Sequence, residues 1–267
     1  MDLLAAGLLV LAGFGAGFLA GVFGIGSGVV LVPVILLYCH ATGVSTLVAT
    51  HVAMGTSLLV VAFVSAAQAW EYARTGHCLW RGAALIALTG AAGSAIGTAV
   101  AAGLEGTALR KIFGFVLLVA AVQLFAGKRK TAAEREPDLE AWPLLGSGLL
   151  IGLVSALSGV GGAPLAVPLL YTYRRFPLRK AIGTSAAAMV VIAGAGAAGY
   201  LFRGWGSEFL PPGMPGFISW QAALPLCVAG IPGMILGTRA ASRADIPLVR
   251  TTFAVLLLAV MLRMFFL

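Results

Sequence analysis

The sequence predicts an all-α polytopic membrane protein made of two internal repeats, inverted relative to one another. Each repeat is expected to hold a Gly-rich broken or re-entrant helix plus about three full spans. Three observations lead there. The 267 residues are 60% apolar and only 10% charged, where a soluble domain carries about 25% charged residues and needs them to face water. The apolar residues are gathered into eight long runs. Motifs of the first half also recur, in the same order, in the second.

The runs cover roughly 3–38, 44–70, 82–102, 107–127, 142–173, 180–202, 217–238 and 246–267. A simple span needs about 20 residues, and six runs fit that length. The first and fifth are too long for one span, and both carry glycine clusters in the middle. Between the halves lies "GKRKTAAEREPDLEAW", a solvated linker. The chain thus divides into membrane repeat 1 (1–127), a linker (128–141) and membrane repeat 2 (142–267). The stretch "RGWGSEFLPPGMPG" at 203–216 reads as a loop. The N-terminus carries Asp2 and no basic cluster, which disfavours a cleaved signal, so residues 1–22 are expected to stay in the first membrane element.

The repeat rests on matched positions. At one offset Gly17 meets Gly152, Gly24 meets Gly159, Gly26 meets Gly161 and Pro33 meets Pro168. "ATH" at 49–51 falls against "GTS" at 183–185, and "GAAGSAIGT" at 90–98 against "GIPGMILGT" at 230–238. Charge then sets the topology. With eight full crossings the Lys and Arg of the connections divide 8 against 9. With runs one and five folded as hairpins they divide 13 against 4. The positive-inside rule selects the second arrangement, with the linker in the cytoplasm and both termini outside. The net charge of +8 is accounted for in the same way, and no nucleic-acid partner is expected.

Glycine and proline at membrane depth call for a reason, because irregular backbone survives there only inside protein or against a wet cavity. A hairpin turning at "GIGSG", with Gly24, Gly26, Ser27 and Gly28 as its candidate site residues, would expose several N–H groups at its tip, and Gly159, Gly161 and Gly162 form the matching cluster in the second half. Helices restarting near Gly28 and Pro164 would point their positive ends at the break. Pro33, Pro164 and Pro168 mark the helix breaks themselves. Two such tips would make a small anion site without a buried cation, while the incoming half-helices bring negative C-terminal ends to the same place, so this argument alone does not set the net field. Close packing of small residues is the competing reading; for "GFGAGFLAG" at 13–21 and "GAAGSAIG" at 90–97 it is the better one.

Thr50, His51, Thr184 and Ser185 occupy equivalent places in runs two and six. Their hydroxyls could donate to an oxyanion or bond back to their own helix. His51 is open to a functional or a structural hydrogen-bonding role. Gln68 and Gln123 lie near span ends, at the expected interface. All nine carboxylates fall in connections or at span ends, which points away from cation transport. Proton coupling would then have to use His51, the substrate or water. Cys39, Cys78 and Cys227 form no metal or disulfide pattern. No cofactor, metal or enzymatic activity is expected, and nothing indicates an oligomeric state.

The two halves, opening with "GIGSGVVLVP" and "GVGGAPLAVP", together with "GTSAAAM" at 183–189 and the "G…G…GT" elements, resemble the sulfite exporter TauE/SafE family of membrane permeases. The resemblance implies an inner-membrane permease for small sulfur-containing anions such as sulfite, a sulfonate or sulfoacetate. It carries onto Gly24, Gly26, Gly28, Pro33, Gly159, Gly161, Gly162 and Pro168, and less directly onto Thr184 and Ser185. The first half departs from the pattern with Ser27 where the second has Gly162, and with "ATH" for "GTS", so substrate preference does not follow. The alternative readings are an uncoupled anion channel on the same scaffold and a membrane scaffold that transports nothing.

Overall fold

The computed structural model describes residues 3–126, 137–211, 214–241, 258, 261 and 262. These residues form helices and no strand. The helices are α1 (Leu3–Phe23), α2 (Gly28–Ala41), α3 (Thr46–Arg74), α4 (Trp80–Ala102), α5 (Gly106–Ala126), α6 (Ala141–Ser158), α7 (Ala163–Pro168), α8 (Leu178–Arg203) and α9 (Trp220–Ala240); α7 continues through a π-helical turn, Leu169–Tyr173. Among the described residues six helices, α1, α3, α4, α6, α8 and α9, are long and apolar enough to cross a membrane. Of the expected last run, 246–267, only residues 258, 261 and 262 are described, and linker residues 128–136 lie outside the described residues.

Both overlong runs split where the glycines sit. The first becomes α1 and α2, the fifth α6 and α7. Gly24 and Gly26 have φ of 68° and 88°, and Gly159 and Gly161 have 68° and 83°. An L side chain in that left-handed region costs about 1–2 kcal/mol, so glycine is what permits the turn. The second limb of each run is short. At 1.5 Å per residue α2 rises about 21 Å and α7 with its π turn about 16 Å, against a hydrocarbon core of about 30 Å.

Side-by-side contacts fix the direction of each helix. A Cβ on Gly13 would lie 2.7 Å from the Leu226 carbonyl oxygen, one on Gly17 would strike the Gly230 carbonyl, and one on Gly21 that of Met234. Residue numbers rise together, so α1 and α9 run parallel. In the same way Gly148 meets Ile86, Gly152 meets the Gly90 carbonyl and Gly97 meets Ala156, so α4 and α6 run parallel. Numbers fall against each other between α3 and α8, where Gly55 meets Tyr200, Gly196 meets Leu58 and Gly183 meets Tyr72. The Ser219 N–H donates to Thr56 Oγ1 at 2.9 Å, and Arg239 approaches Glu71 at 3.7 Å, so α9 runs with α3. Thus α1, α3 and α9 point one way and α4, α6 and α8 the other. Gly13, Gly17 and Gly21, with Gly90, Gly93 and Gly97, serve close helix approach, as their spacing suggested, whereas Gly15 meets nothing within 4 Å.

Charge follows these directions. Arg74, Arg81, Arg174, Arg175, Arg179, Lys180 and Arg239 gather at one end of the bundle, and Arg110, Lys111 and Arg203 at the other. One polar residue departs from expectation. Gln68 is buried rather than interfacial, because its Nε2 donates to the Ala20 carbonyl at 3.3 Å and ties α3 to α1. The side chain of Gln123 lies outside the described residues.

Candidate functional site

The two short helices begin at the same place. A Cβ on Gly28, the first residue of α2, would strike the Val160 carbonyl. One on Gly26 would sit 3.2 Å from the Ala163 Cβ and 3.6 Å from the Val160 oxygen. The second break, in turn, rests on the middle of the bundle. A Cβ on Gly159 would lie 2.8 Å from Met54, one on Gly161 would strike Val61, and one on Gly162 would meet Ile151 and lie 3.2 Å from the Met189 sulfur. From this shared centre α2 runs to the N-terminal end of α3, and α7 with its π turn runs to the N-terminal end of α8. Since α3 and α8 are antiparallel, the short helices diverge toward opposite ends with their N-termini meeting in the middle.

The α2 N-terminus is buried and uncapped. Ser27 precedes it with φ −77° and ψ −21°, and its hydroxyl makes no cap bond. The Ser27 carbonyl accepts from Val30 and Leu31, both at 3.1 Å, so the α2 ladder starts there. Among the described residues no hydrogen bond engages the N–H groups of Gly28 and Val29, or those of Gly161 and Gly162. Ser27 is 2% exposed and its Oγ has no partner either. Buried helix ends normally find caps or ligands; here the unengaged N–H groups of Gly28 and Val29 lie at a positive helix end, equivalent to roughly half a charge, beside Val160 of the second break, where the C-terminal ends of α1 and α6 also arrive. Prolines support the geometry. Pro164 sits in the first turn of α7, where its missing N–H costs nothing, and Pro168 closes α7 ahead of the π turn. Pro33, expected at a helix break, instead lies inside α2, which runs unbroken from Gly28 to Ala41; there its missing N–H frees the Val29 carbonyl from its usual partner.

The four polar residues of runs two and six do not join this centre. Thr50 packs against Gly106 at the start of α5. His51 is engaged through Nε2 with the Ala101 carbonyl at 3.1 Å, and its ring meets that of Phe217 at 5.2 Å between centroids. Thr184 Oγ1 accepts the Leu79 N–H at 3.1 Å, and Ser185 Oγ donates to the Ile182 carbonyl at 2.9 Å. Each pair still lies within a turn of the other half's break, because a Cβ on Gly159 would lie 2.8 Å from Met54 and one on Gly24 would lie 2.8 Å from Ile182.

Three residues at the centre escaped the sequence reading. The Tyr200 hydroxyl donates to the Ala156 carbonyl at 2.9 Å, so α8 caps the last turn of α6 beside the break. Ser57 and Ser155 are wholly buried, with no partner for either hydroxyl among the described residues. The signal for the serines was present as polar residues inside spans; without helix faces it could not be told from surface polarity.

A family model described as sulfite exporter TauE/SafE matches residues 9–264. A probable membrane transporter protein of Haemophilus influenzae is 27% identical over 258 residues, covering 97% of each chain. One of Xylella fastidiosa strain Temecula1 is 29% identical over 261 residues, 95% of this chain and 93% of the other. One of Methanocaldococcus jannaschii is 28% identical over 196 residues, 73% and 72% of the two chains. No solved structure matches. With a match along almost its whole length and six helices fit to cross a bilayer, the chain belongs to the sulfite exporter TauE/SafE family of multi-pass membrane transporter proteins.

Proposed function

We propose that the protein is a secondary permease for a small sulfur-containing anion, such as sulfite, a sulfonate or sulfoacetate, bound at mid-depth where the two helix breaks meet. The observation that carries this reading is the buried, uncapped start of α2, with Ser27 and free backbone N–H groups, set against the Val160–Ala163 backbone of the second break. Peptide dipoles and hydroxyls can hold one negative charge without a buried cation. The sulfur chemistry comes from the family description, sulfite exporter.

The two halves act as inverted repeats in this reading. Equal φ values at Gly24 and Gly159 support it. So does the Gly17–Gly230 contact, which is matched by Gly152–Gly90 at the equivalent positions. Each hairpin enters and leaves at one face, and the end rich in Arg and Lys faces the cytoplasm of the inner membrane, with both termini outside. Alternating access is then rocking of one repeat against the other around a fixed centre. His51, held by the Ala101 carbonyl, acts as an anchor, so any proton coupling would run through the substrate or water.

The test is uptake of labelled sulfite, thiosulfate and sulfoacetate into proteoliposomes, with and without a pH gradient. Saturable uptake lost in Gly161→Leu is the expected result. Failure of all three to move, or to stabilise the purified protein, overturns the reading.

A further inference from the structure

We infer that Ser57 and Ser155 present their hydroxyls to the second break and donate to an oxyanion of single negative charge. This rests on the reading that the breaks hold the substrate, and it names the donors and the charge.

A serine or threonine inside a membrane helix ordinarily returns its hydroxyl to a carbonyl three or four residues back. Thr98, Ser147, Ser158 and Ser185 do so, at 2.9, 2.8, 2.7 and 2.9 Å. Ser57 and Ser155 do not. Both are 0% exposed and without a partner among the described residues. Their positions on the helices explain where they look. Ser57 follows Met54 by three residues and precedes Val61 by four, and those two touch Gly159 and Gly161. Ser155 lies one turn after Ile151, which touches Gly162, and one turn before Gly159, whose N–H its carbonyl accepts at 2.9 Å. Two helices therefore each carry an unspent donor beside one break. Ser27, equally unspent, stands at the other break.

Charge selection follows from what accompanies these donors. The described Lys and Arg residues all lie at the two ends of the bundle, so the centre offers neutral donors and peptide dipoles. The cost of removing an ion from water rises with the square of its charge, and a site without a counter-ion cannot repay it for a dianion. The chemistry fits hydrogensulfite or an alkylsulfonate; of the candidates named above it disfavours sulfoacetate, a dianion at neutral pH, as it does sulfate and thiosulfate.

The experiment is uptake of labelled methanesulfonate by full-length protein in proteoliposomes, with excess unlabelled sulfate as competitor. The wild type should take up methanesulfonate, and sulfate should not compete. Ser57→Ala and Ser155→Ala should each raise KM about tenfold, the loss of one donor to a charged group. Ser147→Ala should leave it unchanged, since Ser147 spends its hydroxyl on the Leu144 carbonyl at 2.8 Å near the start of α6, at the far end of that helix from the break. The inference is overturned if Ser57→Ala and Ser155→Ala behave like Ser147→Ala, or if sulfate competes as well as unlabelled methanesulfonate. Loss of uptake in Gly161→Leu with both serine variants unaffected would sink the serines and leave the site standing. If the wild type shows no flux, thermal stabilisation of the purified protein by methanesulfonate decides. Stabilisation that disappears in both serine variants supports the inference; its absence in the wild type removes inference and site together.

Discussion

The Arg174 guanidinium lies 3.1 Å from the Asp138 carboxylate, while the Asp138 N–H donates to the Arg174 carbonyl at 3.1 Å. The first residue joins α7 to α8 and the second closes the linker before α6, so both connections leave the bundle at one end. Single cysteines replacing Glu140 and Arg175, in a background lacking Cys39, Cys78 and Cys227, should react with an impermeant thiol reagent from the same side. A cysteine replacing Glu208 should react only from the other. Labelling of the first two from opposite sides would refute the helix directions described above.

The glycine contacts predict a sharp difference among alanine substitutions. Gly17→Ala and Gly152→Ala push a methyl group into the Gly230 and Gly90 carbonyls and should destabilise by about 1–3 kcal/mol. Gly15→Ala and Gly146→Ala meet nothing within 4 Å and should be neutral or stabilising by up to about 1 kcal/mol. Thermal unfolding in detergent separates the two pairs.

At the breaks the backbone, more than space, sets the cost. Gly26→Ala places a side chain at φ 88°, with its nearest neighbour, the Ala163 Cβ, at 3.2 Å. It should lose about 1–2 kcal/mol from conformation alone, and substrate uptake should fall further than stability does. Uptake at the wild-type rate by correctly inserted Gly26→Ala would place the site elsewhere.

Tyr200→Phe removes the hydroxyl that caps the Ala156 carbonyl at the end of α6. The ring still fits, so the loss should be that of one buried hydrogen bond, about 1–2 kcal/mol. Chemical unfolding of the purified variant measures it.

His51 provides a test of anchoring against proton relay. If Nε2–H serves to hold the Ala101 carbonyl, His51→Asn, which keeps an N–H donor, should retain uptake and its pH profile better than His51→Leu. A pH profile that flattens in His51→Asn would make the imidazole a proton carrier.

Much of this was legible in the chain itself. Run lengths marked where the first and fifth apolar stretches break, since glycine at Gly24, Gly26, Gly159 and Gly161 is what tolerates positive φ. The helix restart at Gly28 and the first-turn role of Pro164 also followed from composition. What could not be read was which side of a helix looks inward. In a bundle apolar on every face, periodicity carries little information, so Thr50, Thr184 and Ser57 look alike in sequence. Only packing shows that Thr184 supports the Leu79 N–H, whereas Ser57 has nothing to support. Gln68 misled for the same reason, because a polar residue near a span end looks interfacial until Ala20 is found beside it.

The pairing of α1 with α9 has a consequence for biogenesis. Gly13, Gly17 and Gly21 leave the ribosome about 200 residues before the helix they grip. At 5–20 residues per second that is a wait of roughly 10–40 s. During it the first hydrophobic segment lies in lipid with its seam open. A nascent chain stalled before residue 220 would keep that seam exposed to quality-control proteases or to the α9 of a neighbouring copy.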